Sequence, residues 1–199
     1  MANHPHSSRH RPIAGGERTV ETFSSVKKDD SKKYFFLLVD GSLADRRASD
    51  DLLHRFGRAL GDKSALVRAY DGKEYDVYEE VIRKGWSAEE KKAIKEDGPF
   101  LLVIDRSFSD FDPGQHPYAI VWLQEGPLRG AREDELTSVL QQLAAVARDE
   151  NEDLFAFITD LAERQTLSRG SGRARVWKTL RAGTHLGSDE FTGNDEGRK

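Results

Sequence analysis

The run Tyr34-Phe35-Phe36-Leu37-Leu38-Val39 is apolar at every position and ends in Asp40-Gly41. A strand with one face in water alternates polar and apolar residues, so a strand without a polar position has both faces covered. The chain must therefore build a sheet with packed layers on each side. The helices for those layers follow in the sequence. Ser42-Leu43-Ala44-Asp45 reads as a capping box with its N-cap at Ser42. Ala48, Leu52, Phe56 and Leu60 then recur at helical spacing, and Gly61-Asp62 closes the pattern.

The alternation continues. Ala65–Tyr70 reads as a second strand, and Asp71-Gly72 as a turn. Tyr78, Val81 and Ile82 share one helical face, and Ser87-Ala88-Glu89-Glu90 is a second capping box opening a short charged helix. Strands are expected at Phe100–Asp105 and Tyr118–Gln124, with a polar loop between them and Gly126-Pro127 after the second. Leu136, Val139, Leu140, Leu143, Ala144 and Ala147 form a long amphipathic stripe, and Leu154, Ile158 and Leu161 mark one more helix.

Outside this region the apolar content falls away. Hydrophobic residues fill 58 of the 133 positions from Tyr34 to Thr166 but only 15 of the remaining 66. That difference predicts three parts: a disordered N-terminal arm at 1–32, an α/β domain at 33–166 and a disordered basic tail at 167–199. Charge is segregated in the same way. Residues 34–163 hold 16 basic and 27 acidic side chains, whereas Arg164 to Ser188 hold six basic groups and no acidic one. An acidic domain with basic ends repels anionic surfaces through its body and attracts them through its arms.

Composition excludes several chemistries. The chain has no cysteine, so disulfides, thiolate catalysis and cysteine-ligated metal centres are impossible. No apolar run approaches the roughly 20 residues of a membrane span. The first residues carry no apolar stretch of about 7–15 residues such as a secretory leader has, so a cytoplasmic location is expected.

The order strand, helix, strand, helix, strand, strand, helix, with Gly98-Pro99 leading into the third strand, resembles the thioredoxin-like fold over about residues 33–148. The resemblance implies a mixed four-stranded sheet, to which the extra C-terminal helix is added. It also implies a cis-proline at Pro99 and a glycine-bearing turn at Gly126 or Gly130. The family's redox members carry Cys-x-x-Cys where the first strand meets the first helix. That junction is Asp40-Gly41-Ser42-Leu43-Ala44-Asp45 in this chain, so thiol–disulfide exchange is ruled out. The resemblance then points to the family's cysteine-free members, which act as chaperones or adaptors, with Gly98 and Pro99 shaping a peptide-facing edge.

Two further groups of residues could carry function. Arg169, Arg173, Arg175, Lys178 and Arg181 surround Trp177 in the tail, a pattern suited to an acidic protein groove or to phosphates with a stacked base. Asp40 and Asp105 follow apolar strands, and Asp110 and Asp112 lie in the next loop. Converging, they could hold Mg²⁺ for phosphoryl or nucleotidyl chemistry. His54, among Asp50, Asp51 and Arg55, lacks the accompanying signature of a catalytic triad. The expectation is a non-enzymatic interaction module without a cofactor. Another protein is the foremost partner, nucleic acid is a possible partner of the tail, and the aspartate set is the enzymatic alternative.

Overall fold

The computed structural model describes residues 16–27, 31–40, 49–96, 99–123 and 133–167. Along them run β1 (Glu17–Val20), a 3₁₀ turn (Phe23–Ser25), β2 (Tyr34–Val39), α1 (Asp50–Ala59) and β3 (Ser64–Ala69). Then follow α2 (Glu74–Ile82), α3 (Ala88–Glu96), β4 (Phe100–Ile104), β5 (Ala119–Trp122), α4 (Glu133–Arg148) and α5 (Leu154–Leu167). The strands form one mixed sheet in the order β1-β3-β2-β4-β5. β1 and β2 both run parallel to β3, whereas β4 is antiparallel to β2 and β5 to β4.

All six residues of β2 are buried, as a central strand covered on both faces requires. Alternation along the strands splits the core into two layers. Phe36, Leu38, Leu66, Leu101 and Val103 face α1, α4 and α5, and Phe36 meets Phe56 edge to face at 5.1 Å. Phe35, Leu37, Val67, Leu102 and Ile104 face the opposite side, under α2, α3 and an aromatic group that includes Trp86, Phe108, Phe111 and Tyr118.

The sheet has five strands, not the four expected, and the added one corrects the domain boundary. Residues 16–27 belong to the fold rather than to a disordered arm spanning 1–32. β1 contains one apolar residue, Val20, and its strand form comes from pairing: Glu17 through Val20 lie beside Leu66 through Ala69. Beyond β1, Phe23 is fully buried and meets Phe108 edge to face at 5.5 Å. Glu80 of α2 holds this turn in place, accepting from the Phe23 backbone N–H at 2.7 Å and from the Ser24 hydroxyl at 3.0 Å.

Ser42, the expected N-cap of the first helix, lies outside the described residues. The N-cap of α1 is Ser49, whose hydroxyl accepts from the Leu52 N–H at 3.3 Å, with Asp50 and Asp51 in the first turn. Carboxylates there complement the exposed N–H groups, so the local chemistry favours that start. The second capping box forms as expected. Glu90 Oε2 accepts from the Ser87 N–H at 3.0 Å, and the Ser87 hydroxyl accepts from the Glu90 N–H at 3.2 Å.

The corner between α4 and α5 is tied to the start of β2. Tyr34 Oη accepts from the buried Leu154 N–H at 3.2 Å, while the Tyr34 ring packs on Phe155 at 5.6 Å. Removing the hydroxyl leaves a buried donor without that partner. Tyr34→Phe is therefore expected to lower the unfolding free energy by about 1–2 kcal/mol. Urea unfolding reads this directly, and an unchanged midpoint would mean that the hydroxyl does not cap α5.

Candidate functional site

At the carboxyl ends of the three parallel strands, alternation sends one set of side chains to the α1 face: Glu17 and Thr19 of β1, Arg68 and then Tyr70 of β3, and Leu38 and Asp40 of β2. Together with Ala69, Asp71 and Glu74 they line a cleft of about 350 Å³. This is the end of an α/β sheet at which ligands gather. The Asp71-Gly72 turn forms the rim on the α2 side, with Gly72 at φ +82°, a conformation that glycine adopts without strain.

The wall on the β1 side is an ion-pair chain. Glu17 Oε2 lies 2.8 Å from His54 Nδ1, and Glu17 Oε1 accepts from Arg68 Nη1 at 3.2 Å. Arg68 Nη2 donates to Asp50 Oδ1 at 2.6 Å. The chain therefore welds β1, β3 and α1 to one another. Glu17 is only 11% exposed and Arg68 21%. Burial opposes the Arg68 charge, but hydrogen bonds to Glu17 and Asp50 and the charges of both hold its pKa above the ordinary arginine value.

The rest of the lining holds three more carboxylates, Asp40, Asp71 and Glu74. Asp40 is buried at 4% exposure. Asp71 and Glu74 form no ion pair among the described residues. Tyr70 is 42% exposed at the cleft, and Tyr75, one position after Glu74, is 58% exposed. Glu17, Asp40, Asp71 and Glu74 against Arg68 give the lining a net negative charge. It suits a cation.

The aspartates of the proposed metal set are not brought together. The antiparallel register pairs Phe35 with Ile104 and Val39 with Phe100. Asp40 and Asp105 therefore mark opposite ends of the sheet, roughly 20 Å apart at about 3.4 Å per residue. Asp105 accepts from Arg106 Nε at 2.9 Å. Asp110 accepts from the Ser107 hydroxyl, and Asp112 accepts from the Gly114 N–H at 2.9 Å and from Gln115 Nε2 at 3.0 Å. These bonds shape the loop between β4 and β5. Among the described residues, no three histidine, aspartate or glutamate side chains are grouped to hold a metal ion. Convergence would have needed β2 and β4 to run parallel, and they run antiparallel.

Pro99 is buried, and its carbonyl accepts from the Leu123 N–H at 2.9 Å. One step beyond the Val39–Phe100 pair, the register sets Asp40, which lines the cleft, beside Pro99. Gly98, Gly126 and Gly130 lie outside the described residues, as do Arg169, Arg173, Arg175, Trp177, Lys178 and Arg181. No peptide bond among the described residues is cis.

Sequence reasoning reached Asp40 and His54 but not Glu17, Arg68, Asp71 or Glu74 as a group. The only local signal was the turn at Asp71-Gly72. Glu17 meets Arg68 through β1 pairing with β3, a contact that neither segment announces.

Lys84 supports the loop between β4 and β5 from the turn that follows α2. Its Nζ donates to the Phe108 carbonyl at 2.7 Å and sits 4.5 Å above the Phe108 ring. Burial lowers its pKa below the ordinary 10.5, against the opposing charges of Glu80, Asp112 and Asp110. Just below 10.5 the unfolded chain then binds more protons at this site than the native one, so the Lys84 contribution to stability grows with pH. Urea midpoints of the native chain and of Lys84→Met, compared at about pH 8 and about pH 10, are expected to shift in favour of the native residue at the higher pH. An equal difference at both would rule out that burial cost.

No helix among the described residues is long and apolar enough to cross a membrane. The chain matches no family model, no curated protein and no solved structure at a significant level.

Proposed function

We propose that this chain is a non-enzymatic protein-interaction module, an adaptor or accessory subunit, whose α/β domain takes a basic segment of a partner protein in the acidic cleft at the strand ends. The observation that carries this reading is the pairing pattern of the lining. His54 and Arg68, the groups best suited to acid–base or anion chemistry, are engaged by Glu17 and Asp50, while Asp71 and Glu74 stand at the rim beside exposed tyrosine rings. Carboxylates beside an aromatic face suit a guanidinium or ammonium group.

The strand order β1-β3-β2-β4-β5 supports the thioredoxin-like resemblance, since three parallel strands lead into an antiparallel pair at the point where Pro99 precedes β4. In that reading the surface retained from the cysteine-bearing relatives is the one around Asp40 and Pro99, beside the cleft. The basic tail adds a second contact. Arg173, Arg175 and Lys178 around Trp177 engage the partner outside the domain.

The test is capture of a partner from nuclease-treated lysate, followed by its identification and by binding to the purified chain. The double reversal Asp71→Lys and Glu74→Lys is expected to weaken that binding about tenfold or more, the scale of two charge-assisted contacts. Binding that is unchanged by the reversal, or that disappears with nuclease, would overturn the reading.

A further inference from the structure

The same cleft faces a second source of cations on its own chain. We propose that the arginine-rich segment from Arg169 to Arg181, which follows α5, docks into the acidic cleft of the same molecule, with Arg173, Arg175 and Lys178 against Asp71 and Glu74. The inference rests on the acidic cleft described above but not on the existence of an outside partner.

Three observations carry it. The first is charge: the cleft lining is net negative, with Asp71 and Glu74 unpaired among the described residues, whereas Arg164 to Ser188 hold six basic groups and no acidic one. The second is position. α5 packs in the layer that includes α1 and α4, the face of the sheet onto which the cleft opens, and it ends at Leu167. From there to Arg181 the chain reaches up to about 46 Å when extended. A domain of this size is roughly 40 Å across, so the segment spans much of the domain's surface. The third is chemistry at the rim. Tyr70, 42% exposed, lines the cleft, and guanidinium groups stack favourably on such a ring.

Tethering raises the weight of each contact. A short connection within one chain holds the segment near the cleft at an effective concentration on the order of millimolar, so weak contacts suffice to populate the docked form. Docking also gives the charge segregation a consequence: the domain and its tail shield each other until a stronger basic ligand displaces the tail. The attraction is between partly exposed charges, so salt weakens it.

The absence of cysteine makes the test clean. A nitroxide attached through Ser171→Cys in the full chain occupies a unique site. Amide intensities around Tyr70, Asp71 and Glu74 are then compared with those around Asp105 and Phe108 at the far end of the sheet. At about 50 mM salt the cleft amides are expected to lose roughly half or more of their intensity while the far end keeps its own. The loss should reverse at about 0.5 M salt. It should also reverse in the near-isosteric Asp71→Asn, Glu74→Gln variant, whose unchanged amide spectrum elsewhere reports that it is folded. Equal intensities at both ends, or loss that persists after neutralisation, would overturn the proposal. So would loss that appears when spin-labelled, unenriched chain is mixed with unlabelled, isotope-enriched chain, since that assigns the contact to a second copy. Docking without any captured partner would defeat only the adaptor reading. Partner binding that depends on Asp71 and Glu74, without tail contact, would defeat only this inference.

Discussion

Phe23→Ala is expected to lower the unfolding free energy by about 3–5 kcal/mol, the range for truncating a fully buried aromatic residue. Phe23 has no exposed surface, and it meets Phe108 edge to face within the aromatic group beneath α2 and α3. The substitution separates two pictures of residues 16–27. If that segment were a solvated arm, truncating its phenylalanine would change the urea midpoint by almost nothing. As part of the fold, it should cost more than nearly any surface change. Glu80→Gln gives a second reading: it keeps one acceptor for the Phe23 N–H and Ser24 but removes the charge, so a smaller loss of about 1 kcal/mol is expected. A phenylalanine effect below about 1 kcal/mol would show that the turn is not packed in solution.

The difference between Phe23 and Phe36 explains what could be read from the sequence. Phe36 sits in a run with no polar position, so its strand and its burial are visible locally. The same holds for the capping box at Ser87 and the long stripe of α4, because a helix start and a helical face are properties of residues three or four apart. Phe23 stands between Thr22 and Ser24 in polar surroundings, and only the distant aromatic group that includes Phe108 gives it something to pack against. β1 depends in the same way on β3, about fifty positions away. The N-cap of α1 was missed for another reason: the spacing at Ser42 drew the expectation, whereas Ser49 is marked by Asp50 and Asp51 in the first turn.

The site follows the same division. Asp40 was legible as a polar residue closing an apolar strand, but its neighbours were not. Which strand ends share a side of the sheet depends on strand direction, and the antiparallel β4 carries Asp105 away from Asp40. A set of aspartates that looked alike in the sequence therefore divides between one cleft and one remote loop. The cleft itself is assembled by pairing β1 and β2 on either side of β3, and long-range pairing of this kind leaves no periodic signal in either segment.

That assembly makes Arg68 the residue whose loss should be felt most widely. Arg68→Met keeps much of the side-chain length but removes the Arg68 charge from Glu17, which is 11% exposed, and the Arg68 hydrogen bond from Asp50. Breaking a well-buried pair from one side costs about 3–5 kcal/mol; this pair is partly exposed, so a loss of about 2–3 kcal/mol is expected in urea unfolding. Much of that cost is the stranded charge of Glu17. The double variant Glu17→Gln, Arg68→Met should therefore recover a large part of it, and a double-mutant cycle measures how much. A loss below about 0.5 kcal/mol would mean that β1 is held by its backbone pairing and by Phe23 alone, and that the ion-pair chain lines the cleft without supporting it.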